Sequence, residues 1–403
     1  MIAIGHHAAG FIGERTTEER GAGRALPAEM KERIRAQAYG LGFDLVGITT
    51  LGPVDSVAAL DDWLAHGHAG DMDYIARGAD KRRDTRLPVP GATSAIVVGL
   101  DYGGAEQGGP VARYARGDDY HEIMIDRLRE LQRWIGREVG GPIRGKAYVD
   151  TGPILERELA RKAGLGWFGK NTLLINPKRG SYFFLGALFI ELELEPDAPF
   201  EADRCGSCTR CLDACPTGAF TGPRVLDATK CISYLTIETK GEIPEELRSG
   251  VGDKIYGCDI CQEVCPYNIK FAQELKEQAF APREVIAGKD ARTLAREILA
   301  MSQQGFATAF RHSPMKRAKL RGLKRNAAVV LGNTGTMEDV SVLRQALADS
   351  ESLVREHAAW ALERIAPTRA LDDVHAHSLG EAALAKLFEH LSDCPGDPPS
   401  NSK

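Results

Sequence analysis

Eight of the nine cysteines of this 403-residue chain fall between residues 205 and 265, so the metal-binding side chains are concentrated in one segment. The first four stand in CGSCTRCLDACP, with the spacing C-x2-C-x2-C-x3-C-P. In the bacterial ferredoxin pattern, three such thiolates bind one 4Fe-4S cube and the fourth reaches across to a second cube. Disulfide frameworks are typical of short secreted chains, and a zinc site gives no reason for the closing Cys-Pro. The spacing therefore predicts two 4Fe-4S clusters, with zinc ribbons or free buried thiols as the alternatives.

The second cysteine motif, IYGCDICQEVCPYN, lacks one ligand because Ile255 stands where the first motif has Cys205. Cys231, in KCISYLTIE between the two motifs, is the predicted replacement. If the fourth ligands are exchanged between clusters, the first cluster takes Cys205, Cys208, Cys211 and Cys265, and the second takes Cys215, Cys231, Cys258 and Cys261. Cys394, near the C-terminus, is interpreted as an incidental thiol.

Two clusters carry electrons, so the long segment before Cys205 is interpreted as the catalytic part that uses them. A chain of 403 residues predicts two or three domains. In this segment, helices such as YHEIMIDRLRELQRWIGREV alternate with apolar strands such as SAIVVGL. The alternation favours an α/β domain over residues 28–200. Residues 1–27 are predicted to be a flexible extension.

Composition and charge are those of an ordinary globular protein. Hydrophobic residues make up 43% and charged residues 27%, and the net charge is -5. The N-terminal stretch MIAIGHHAAGFIGERTTEERGAG has no basic leader before its short apolar run. No apolar run reaches the roughly 18 residues that a membrane-spanning helix needs. The sequence therefore predicts a soluble, cytoplasmic protein with no membrane partner.

Three loops of the first domain carry side chains suited to ligand binding, because ligands of such sheets gather at strand ends. Asp150, in YVDTGPI, ends a predicted strand, although it or Thr151 could simply cap the next helix. The stretch GLGWFGKNTLLINPKRGSY lets the backbone approach a large cofactor, although a tight turn with a buried aromatic pair explains it equally well. The third loop, Arg113–His121, could equally be a solvated helix entry. None of the three identifies a cofactor by itself.

The chain after the clusters contains a short repeat and a basic run. LKRNAAVVLG and VREHAAWALE align without gaps at a period of 31 residues, and each carries the Ala-Ala pair that lets helices pack closely. The pattern is similar to a HEAT repeat, whose helix pairs stack into a concave binding surface. Just ahead lies RHSPMKRAKLRGLKR, with seven Lys or Arg and no acidic residue. This run is either a solvated face or a phosphate-binding patch.

The order of these motifs resembles the epoxyqueuosine reductase family. The carrying motifs are YVDTGP and GWFGKNTLLINP, then CGSCTRCLDACPTGA, CISYLTIE and GCDICQEVCPYN, then the HEAT-like pair. The displaced Cys231 is the most specific of them, and the resemblance runs from about residue 29 to the last repeat. It implies an α+β multidomain protein in four parts. These are a cobalamin-binding α/β domain related to reductive dehalogenases over 28–200, a ferredoxin-like two-cluster domain over 201–275, a helical HEAT-like tRNA-binding domain over 276–395, and a disordered tail over 396–403.

The resemblance also implies a reaction. Epoxyqueuosine at the wobble position of tRNA would lose its epoxide oxygen as water and become queuosine. An external low-potential donor would supply electrons through both 4Fe-4S clusters to cobalamin, with the Cys205 cluster first and the Cys231 cluster last. The chain has no D-x-H-x-x-G motif for a lower histidine ligand of cobalt, an absence that the family shares. The protein is expected to be a monomer.

Roles for individual residues follow from the same resemblance. Asp150 is the expected catalytic acid, because enclosure by corrin and nucleoside would favour its acid form. The expected cobalamin contacts are Arg113, Tyr114, Asp150, Lys170, Asn171, Ser181, Tyr182, Ser233 and Tyr234. The residues expected to hold phosphates of the anticodon stem-loop, while the wobble nucleoside is turned out of the stack, are Lys316, Arg317, Lys319, Arg321, Lys324 and Arg325.

Two other functions fit part of the pattern. A reductive dehalogenase-like corrinoid enzyme would share the α/β domain and the clusters, but it usually carries an export signal and has no use for a basic helical tail. A non-catalytic, ferredoxin-type electron-transfer protein with a protein-binding HEAT module would explain the clusters and repeats. The length of chain before Cys205 counts against that second alternative.

Overall fold

The computed structural model describes residues 28–105 and 108–367 of the chain. The predicted extension over 1–27, the tail over 396–403, Cys394 and the end of the repeat region after residue 367 lie outside the described residues. The strands are β1 (Leu45–Thr50), β2 (Ser94–Asp101), β3 (Gly145–Tyr148), β4 (Trp167–Phe168), β5 (Leu174–Ile175), β6 (Phe183–Ile190), β7 (Phe220–Gly222) and β8 (Val225–Leu226). The α-helices are α1 (Ala28–Gly40), α2 (Val57–Ala65), α3 (Asp73–Arg77), α4 (Ala79–Arg83), α5 (Tyr120–Glu138), α6 (Glu156–Lys162), α7 (Arg210–Asp213), α8 (Ile232–Ile237), α9 (Glu245–Val251), α10 (Ile260–Glu263), α11 (Pro266–Phe271), α12 (Ala291–Ala300), α13 (Gln303–Ala309), α14 (Lys319–Thr334), α15 (Val340–Ala346) and α16 (Ser352–Ile365).

The main sheet has the strand order β1-β2-β6-β3, and every neighbouring pair is antiparallel. The register places Ile48 opposite Ile96 and Val97 opposite Ala187. The alternation of helices and strands correctly predicted the order of elements, but a sheet built from βαβ units would be parallel. The difference arises because neighbours such as β2 and β6 are not joined by one helical crossover. The α-helices α5 and α6 and the strands β3, β4 and β5 lie between them in sequence.

β2 is buried on both faces of the sheet, which explains its uninterrupted apolar sequence. Ile96, Val98 and Leu100 pack into a core with α1 and α5, whereas Ala95 and Val97 pack into a second core with α6. On α5, the buried residues recur with the spacing of one helix face. They are Met124, Leu128, Leu131 and Ile135. This two-sided packing holds the ends of β2 and β3 in place, and the loops of the site follow those ends.

The predicted repeats form α14 and α16, which pack directly on each other. Both Ala-Ala pairs are buried in the core of these helices. The contact also requires a glycine at 332, because a Cβ there would come within 2.4 Å of the Trp360 ring. The apolar core of these helices also includes Ile232, Leu235 and Ile255 from the cysteine-rich segment. The helical part and the second cysteine motif are therefore packed around one shared core.

None of the helices in the part of the chain that the structure describes is both long enough and apolar enough to cross a membrane.

Candidate active site

Asp150 lies two residues after the end of β3 and has a backbone conformation that is uncommon outside glycine. Its φ is 55°, in the left-handed region, which Asp tolerates better than most residues. The next helix, α6, begins at Glu156 with Leu155 at its N-cap position, so neither Asp150 nor Thr151 caps it. The side chain of Asp150 is 70% exposed. The capping interpretation is therefore wrong, and the carboxylate is open to a ligand.

Asp150 lies at the end of a chain of polar contacts that begins at the start of α5. Asp119 caps α5, and its Oδ1 lies 2.6 Å from Nδ1 of His121. The other ring nitrogen, Nε2, lies 3.6 Å from Oδ2 of Asp150, and the Tyr120 hydroxyl donates to the same Oδ2 at 3.1 Å. The two ring nitrogens therefore have different partners: Nδ1 donates its proton to Asp119, and Nε2 faces Asp150.

The proton of this pair resides on the imidazole. Burial opposes the charged form of His121, but the carboxylates of Asp119 and Asp150 outweigh it and raise the pKa of His121 to about 9. The neighbouring His121 lowers the pKa of Asp150, although burial acts in the opposite direction. The expected acid form of Asp150 concerns a site enclosed by corrin and nucleoside, and it stays a prediction. At neutral pH the site holds an imidazolium beside a carboxylate.

Glu156 is a second titratable group near Asp150. Burial and the charge of Asp150 raise the pKa of Glu156 to about 7. Its Oε1 is buried and has no hydrogen-bond partner among the described residues. Sequence reasoning singled out the loop that holds His121 but not His121 itself, and it missed Glu156. Only the fold brings the start of α5, the end of β3 and the start of α6 together, so no spacing could have indicated this cluster.

The cysteines approach one another in the two predicted sets. A cavity of about 170 Å³ is lined by Cys205, Cys208, Cys211 and Cys265. In the other set, burial raises the pKa of Cys231, and Cys215 adds to the increase. Burial followed by Cys258 and Cys231 likewise raises the pKa of Cys261. Four thiols on short loops around one space fit a cube of iron and sulfide. The assignment of each set to one cluster stays a prediction.

The glycine-rich stretch forms the small hairpin of β4 and β5, and its side chains hold both cysteine loops. Trp167 Nε1 donates to Sγ of Cys205 at 3.4 Å. The ammonium group of Lys170 donates to the carbonyl oxygen of Gly206 at 2.7 Å, and Asn171 Nδ2 donates to that of Cys261 at 3.3 Å. Lys170 and Asn171, predicted as cobalamin contacts, therefore have polar groups that join the first domain to the cysteine loops.

Three further predicted cobalamin contacts are engaged within the protein. Nη1 of Arg113, whose side chain is buried, lies 3.1 Å from Asp259 and 2.9 Å from Glu263. The guanidinium of Arg113 also stacks over the ring of Tyr182. Ser181 is buried and its hydroxyl accepts from Asn268 Nδ2 at 2.9 Å. These contacts join the first domain to α10 and α11, which lie on either side of Cys265.

The remaining predicted cobalamin contacts are Tyr114, which lies within electrostatic reach of Asp150, and the pair Ser233 and Tyr234 on α8. The ring of Tyr114 packs edge-on against Tyr120, and burial raises the pKa of Tyr114 well above its usual value, with Asp150 among the further causes. Tyr234 accepts a hydrogen bond from the backbone N–H of Asp71 at 2.6 Å. Ser233 is partly exposed at the start of α8. Tyr234 therefore anchors the loop before α3 onto the helix that follows Cys231.

The basic run divides into buried, paired and exposed residues. Arg325 is 1% exposed and donates to the carbonyl oxygens of Thr239 and Gly241 at 2.8 and 2.7 Å. Its prediction as a phosphate contact is wrong, because a guanidinium that satisfies buried carbonyl groups cannot reach a ligand. Lys324 is ion-paired with Asp349 at 2.8 Å. The exposed cations Lys316, Lys319 and Arg321 form no ion pair within residues 28–105 and 108–367.

Three family models match the chain. The model described as a 4Fe-4S double cluster binding domain matches residues 204–268, a range that includes all eight clustered cysteines. The model described as epoxyqueuosine reductase QueG, DUF1730, matches residues 82–151, and the model described as HEAT repeats matches residues 317–397. The match over 204–268 supports iron–sulfur clusters rather than zinc ribbons.

Similar proteins cover nearly the same range. The epoxyqueuosine reductase of Pseudomonas aeruginosa is 42% identical over 349 residues, which are 84% of this chain and 95% of that protein. The Escherichia coli enzyme is 39% identical over 345 residues, 83% of this chain and 89% of that protein. A crystal structure of epoxyqueuosine reductase with a tRNA-Tyr epoxyqueuosine-modified stem loop has a TM-score of 0.79 and 30% identity, covering 91% of this chain and 98% of that one.

A structure of the Bacillus subtilis epoxyqueuosine reductase is described with its catalytic aspartate loop swung out of the active site. It has a TM-score of 0.79 and 30% identity, and covers 91% of this chain and 99% of that one. The relatives therefore share the whole arrangement of sheet, cysteine loops and repeats, not one motif. On this coverage and identity, the chain belongs to the epoxyqueuosine reductase family.

Proposed function

We propose that this protein reduces epoxyqueuosine to queuosine at the wobble position of tRNA. The reaction consumes two electrons and two protons, converts the epoxide to an alkene and releases the oxygen as water. The observation that carries the proposal is the His121–Asp150 pair, a proton source that faces an open site in a chain with two sets of four cysteines. One-electron clusters can deliver the two electrons in succession, and the pair can supply a proton to the opening oxygen.

Cobalamin is the proposed centre at which the electrons are used. The unpartnered Oε1 of Glu156 is an acceptor that fits an amide side chain of a corrin. We propose that Tyr114 and Ser233, which are partly exposed, contact the corrin directly. Arg113, Lys170, Asn171, Ser181, Tyr182 and Tyr234, whose side chains are engaged within the protein, are proposed to support that surface. When bound, cobalamin would supply a low-potential metal that accepts electrons one at a time and acts on the epoxide carbon.

The polypeptide's own task is to hold and move a proton. Asp119 accepts the Nδ1 proton of His121, so the second proton of the imidazolium sits on Nε2, the nitrogen that faces Asp150. We propose that this proton passes to Asp150 and then to the epoxide oxygen, because substrate that encloses Asp150 raises the cost of its charge. An aspartate loop described as swung out in the Bacillus subtilis enzyme supports a mobile Asp150. Its exposed side chain and left-handed backbone suit such a movement.

The pH dependence of turnover should follow His121. Because its pKa is raised to about 9, the imidazolium persists at neutral pH and is lost as the pH rises through about 9. Single-turnover rates of prereduced enzyme should therefore stay level near neutrality and fall above that value. In His121→Asn the rate should be lower and this descending limb absent. His66→Asn, at an exposed histidine, serves as the control. A wild-type rate that already begins to decline, with rising pH, before pH 8 would contradict the assignment.

We propose that Lys316, Lys319 and Arg321 contact tRNA phosphates. Their exposure and their lack of ion pairs in the described part of the chain support this role. Reversing all three to Glu should weaken stem-loop binding by at least roughly tenfold and reduce the salt dependence of affinity, since each lost phosphate contact removes about 0.7–0.9 from the slope. Fluorescence anisotropy at several salt concentrations measures both effects. An unchanged affinity would mean that these three residues belong to a solvated face and do not contact phosphates.

The activity is tested directly by anaerobic turnover. Reconstituted protein, cobalamin and a strong reductant are incubated with tRNA that carries epoxyqueuosine, and digested nucleosides are followed by mass spectrometry. We expect the modified nucleoside to lose one oxygen only when cobalamin is present. An unchanged nucleoside with both clusters assembled would contradict the proposal. An external low-potential donor is expected to replace the chemical reductant through the Cys205 cluster, whose cysteines 205, 208 and 211 are partly exposed.

A further inference from the structure

Tyr74 is a large aromatic side chain that the function described so far does not use. It lies on α3 and is 42% exposed. Single exposed aromatic residues are common on protein surfaces, so the exposure alone indicates nothing. What distinguishes Tyr74 is that groups from other parts of the chain hold it.

One such group is Arg317, whose guanidinium carbon lies 5.7 Å from the centre of the Tyr74 ring. Arg317 is itself fixed by Glu238, which accepts hydrogen bonds from Nε and from Nη2, the latter at 2.8 Å. A cation placed over an aromatic ring adds attraction and limits the orientations of both groups. Arg317, predicted as a phosphate contact, is therefore already paired with the carboxylate of Glu238.

The backbone under Tyr74 is held as well. Nη1 of the buried Arg82 donates to the carbonyl oxygens of Tyr74 and Ile75 at 3.5 and 3.3 Å. The preceding loop is fixed by the hydrogen bond from Asp71 to Tyr234, and a Cβ at Gly70 would come within 2.2 Å of the Tyr234 hydroxyl oxygen. The ring is therefore presented by a braced segment, and its orientation needs little further ordering when a ligand binds.

The position of this ring relates it to the proposed chemistry. Tyr74 comes from the first domain, Glu238 from the cysteine-rich segment and Arg317 from the start of the helical part, so the three segments meet at the ring. Asp150 lies close enough to affect both partners: burial raises the pKa of Tyr74, and the charges of Glu238 and Asp150 add to the increase. The carboxylates of Glu238 and Asp150 also raise the pKa of Arg317, against the effect of burial. The Tyr74–Arg317 pair therefore lies within electrostatic reach of Asp150.

We propose that Tyr74, backed by Arg317, is a stacking platform for an unpaired nucleobase next to the reacting nucleoside. This inference rests on the proposed function, because turning one nucleoside out of an anticodon loop leaves its neighbours unstacked at the pocket mouth. Unpaired bases are bound by aromatic and guanidinium planes, with little dependence on sequence. A rigid ring supported by a fixed cation provides such a plane.

The test compares binding of a labelled anticodon stem-loop to holoenzyme variants by fluorescence anisotropy. Tyr74→Leu should bind roughly tenfold more weakly, as expected for one lost base–aromatic stack. Tyr74→Phe should bind like the wild type. The salt dependence should be unchanged, since stacking releases no counterions, in contrast to reversal of Lys316, Lys319 and Arg321. Tyr39→Leu, at an equally exposed tyrosine on α1 (49% exposed), is the matched control.

Abasic stem-loops identify the contact. Removing the base on one side of the wobble nucleotide should weaken binding to the wild type by the same factor, and should weaken binding to Tyr74→Leu no further. The proposal would be overturned if the losses of affinity from Tyr74→Leu and from the abasic site were fully additive at both neighbouring positions. It would also be overturned if Tyr74→Leu bound the stem-loop as tightly as the wild type. A loss of cobalamin absorbance in Tyr74→Leu with unaltered stem-loop affinity would overturn it as well, because that result would place the ring against the corrin. If the wild type itself does not bind the stem-loop, the proposed function fails first.

Discussion

Asp150→Asn should lower turnover of epoxyqueuosine by about 10²- to 10⁴-fold, the usual contribution of a general acid. The amide is nearly isosteric with the carboxyl group but cannot receive a proton from His121 and pass it on. Because Asp150 is 70% exposed and follows a strand rather than capping α6, the change should leave folding intact. The variant should keep the wild-type iron content, cobalamin absorbance and affinity for the stem-loop.

Asp126→Asn, on an exposed position of α5, is the matched control and should retain full activity. The measurement is the single-turnover rate at neutral pH with substrate in excess of its dissociation constant. An unchanged rate in Asp150→Asn with cobalamin bound would remove Asp150 from the proton path. In that case His121, whose pKa is raised to about 9, would be the direct donor.

Cys231→Ala should abolish turnover by removing one ligand of the second cluster alone. Cys231 stands at the N-cap position of α8 and lies within electrostatic reach of Cys215 and Cys258, so its loss would leave three thiolates in the predicted second set. The predicted first set, around Cys205, takes no ligand from this helix. We therefore expect iron and sulfide contents of the purified protein to fall by about half, while the spectroscopic signal of the other reduced cluster remains.

Cys394→Ala is the control for this experiment, because its sequence position has no place in either predicted set. It should keep full iron content and activity. A Cys231→Ala protein that retains all of its iron would contradict the assignment of Cys231 as a ligand. Loss of all iron would instead mean that the two cysteine sets fold only together.

Much of the molecule follows from short-range sequence pattern. Three ligands of the first cluster lie close in sequence because a tight loop presents three thiolates to one cube, so spacing indicated that set. The second set, in which Cys231 replaces the ligand missing at Ile255, stays a prediction. The apolar run of β2 and the Ala-Ala repeats of α14 and α16 likewise follow from local burial. The direction of the strands does not follow from local pattern, because the antiparallel pairing of β2 with β6 depends on how distant segments of the chain return to the sheet.

The chemistry of individual side chains needed contacts between segments far apart in sequence. The residue types and spacing by themselves determined the double-cluster segment, the strand and helix order and the repeat, and they singled out the loop of Asp150 as a candidate site. Only the tertiary structure decided that Asp150 is ionised beside a charged His121, that Arg325 is buried while Arg321 is exposed, and that Tyr74 meets Arg317. The physical reason is that protonation and availability depend on burial and on the nearest charges, and those neighbours are set by the fold.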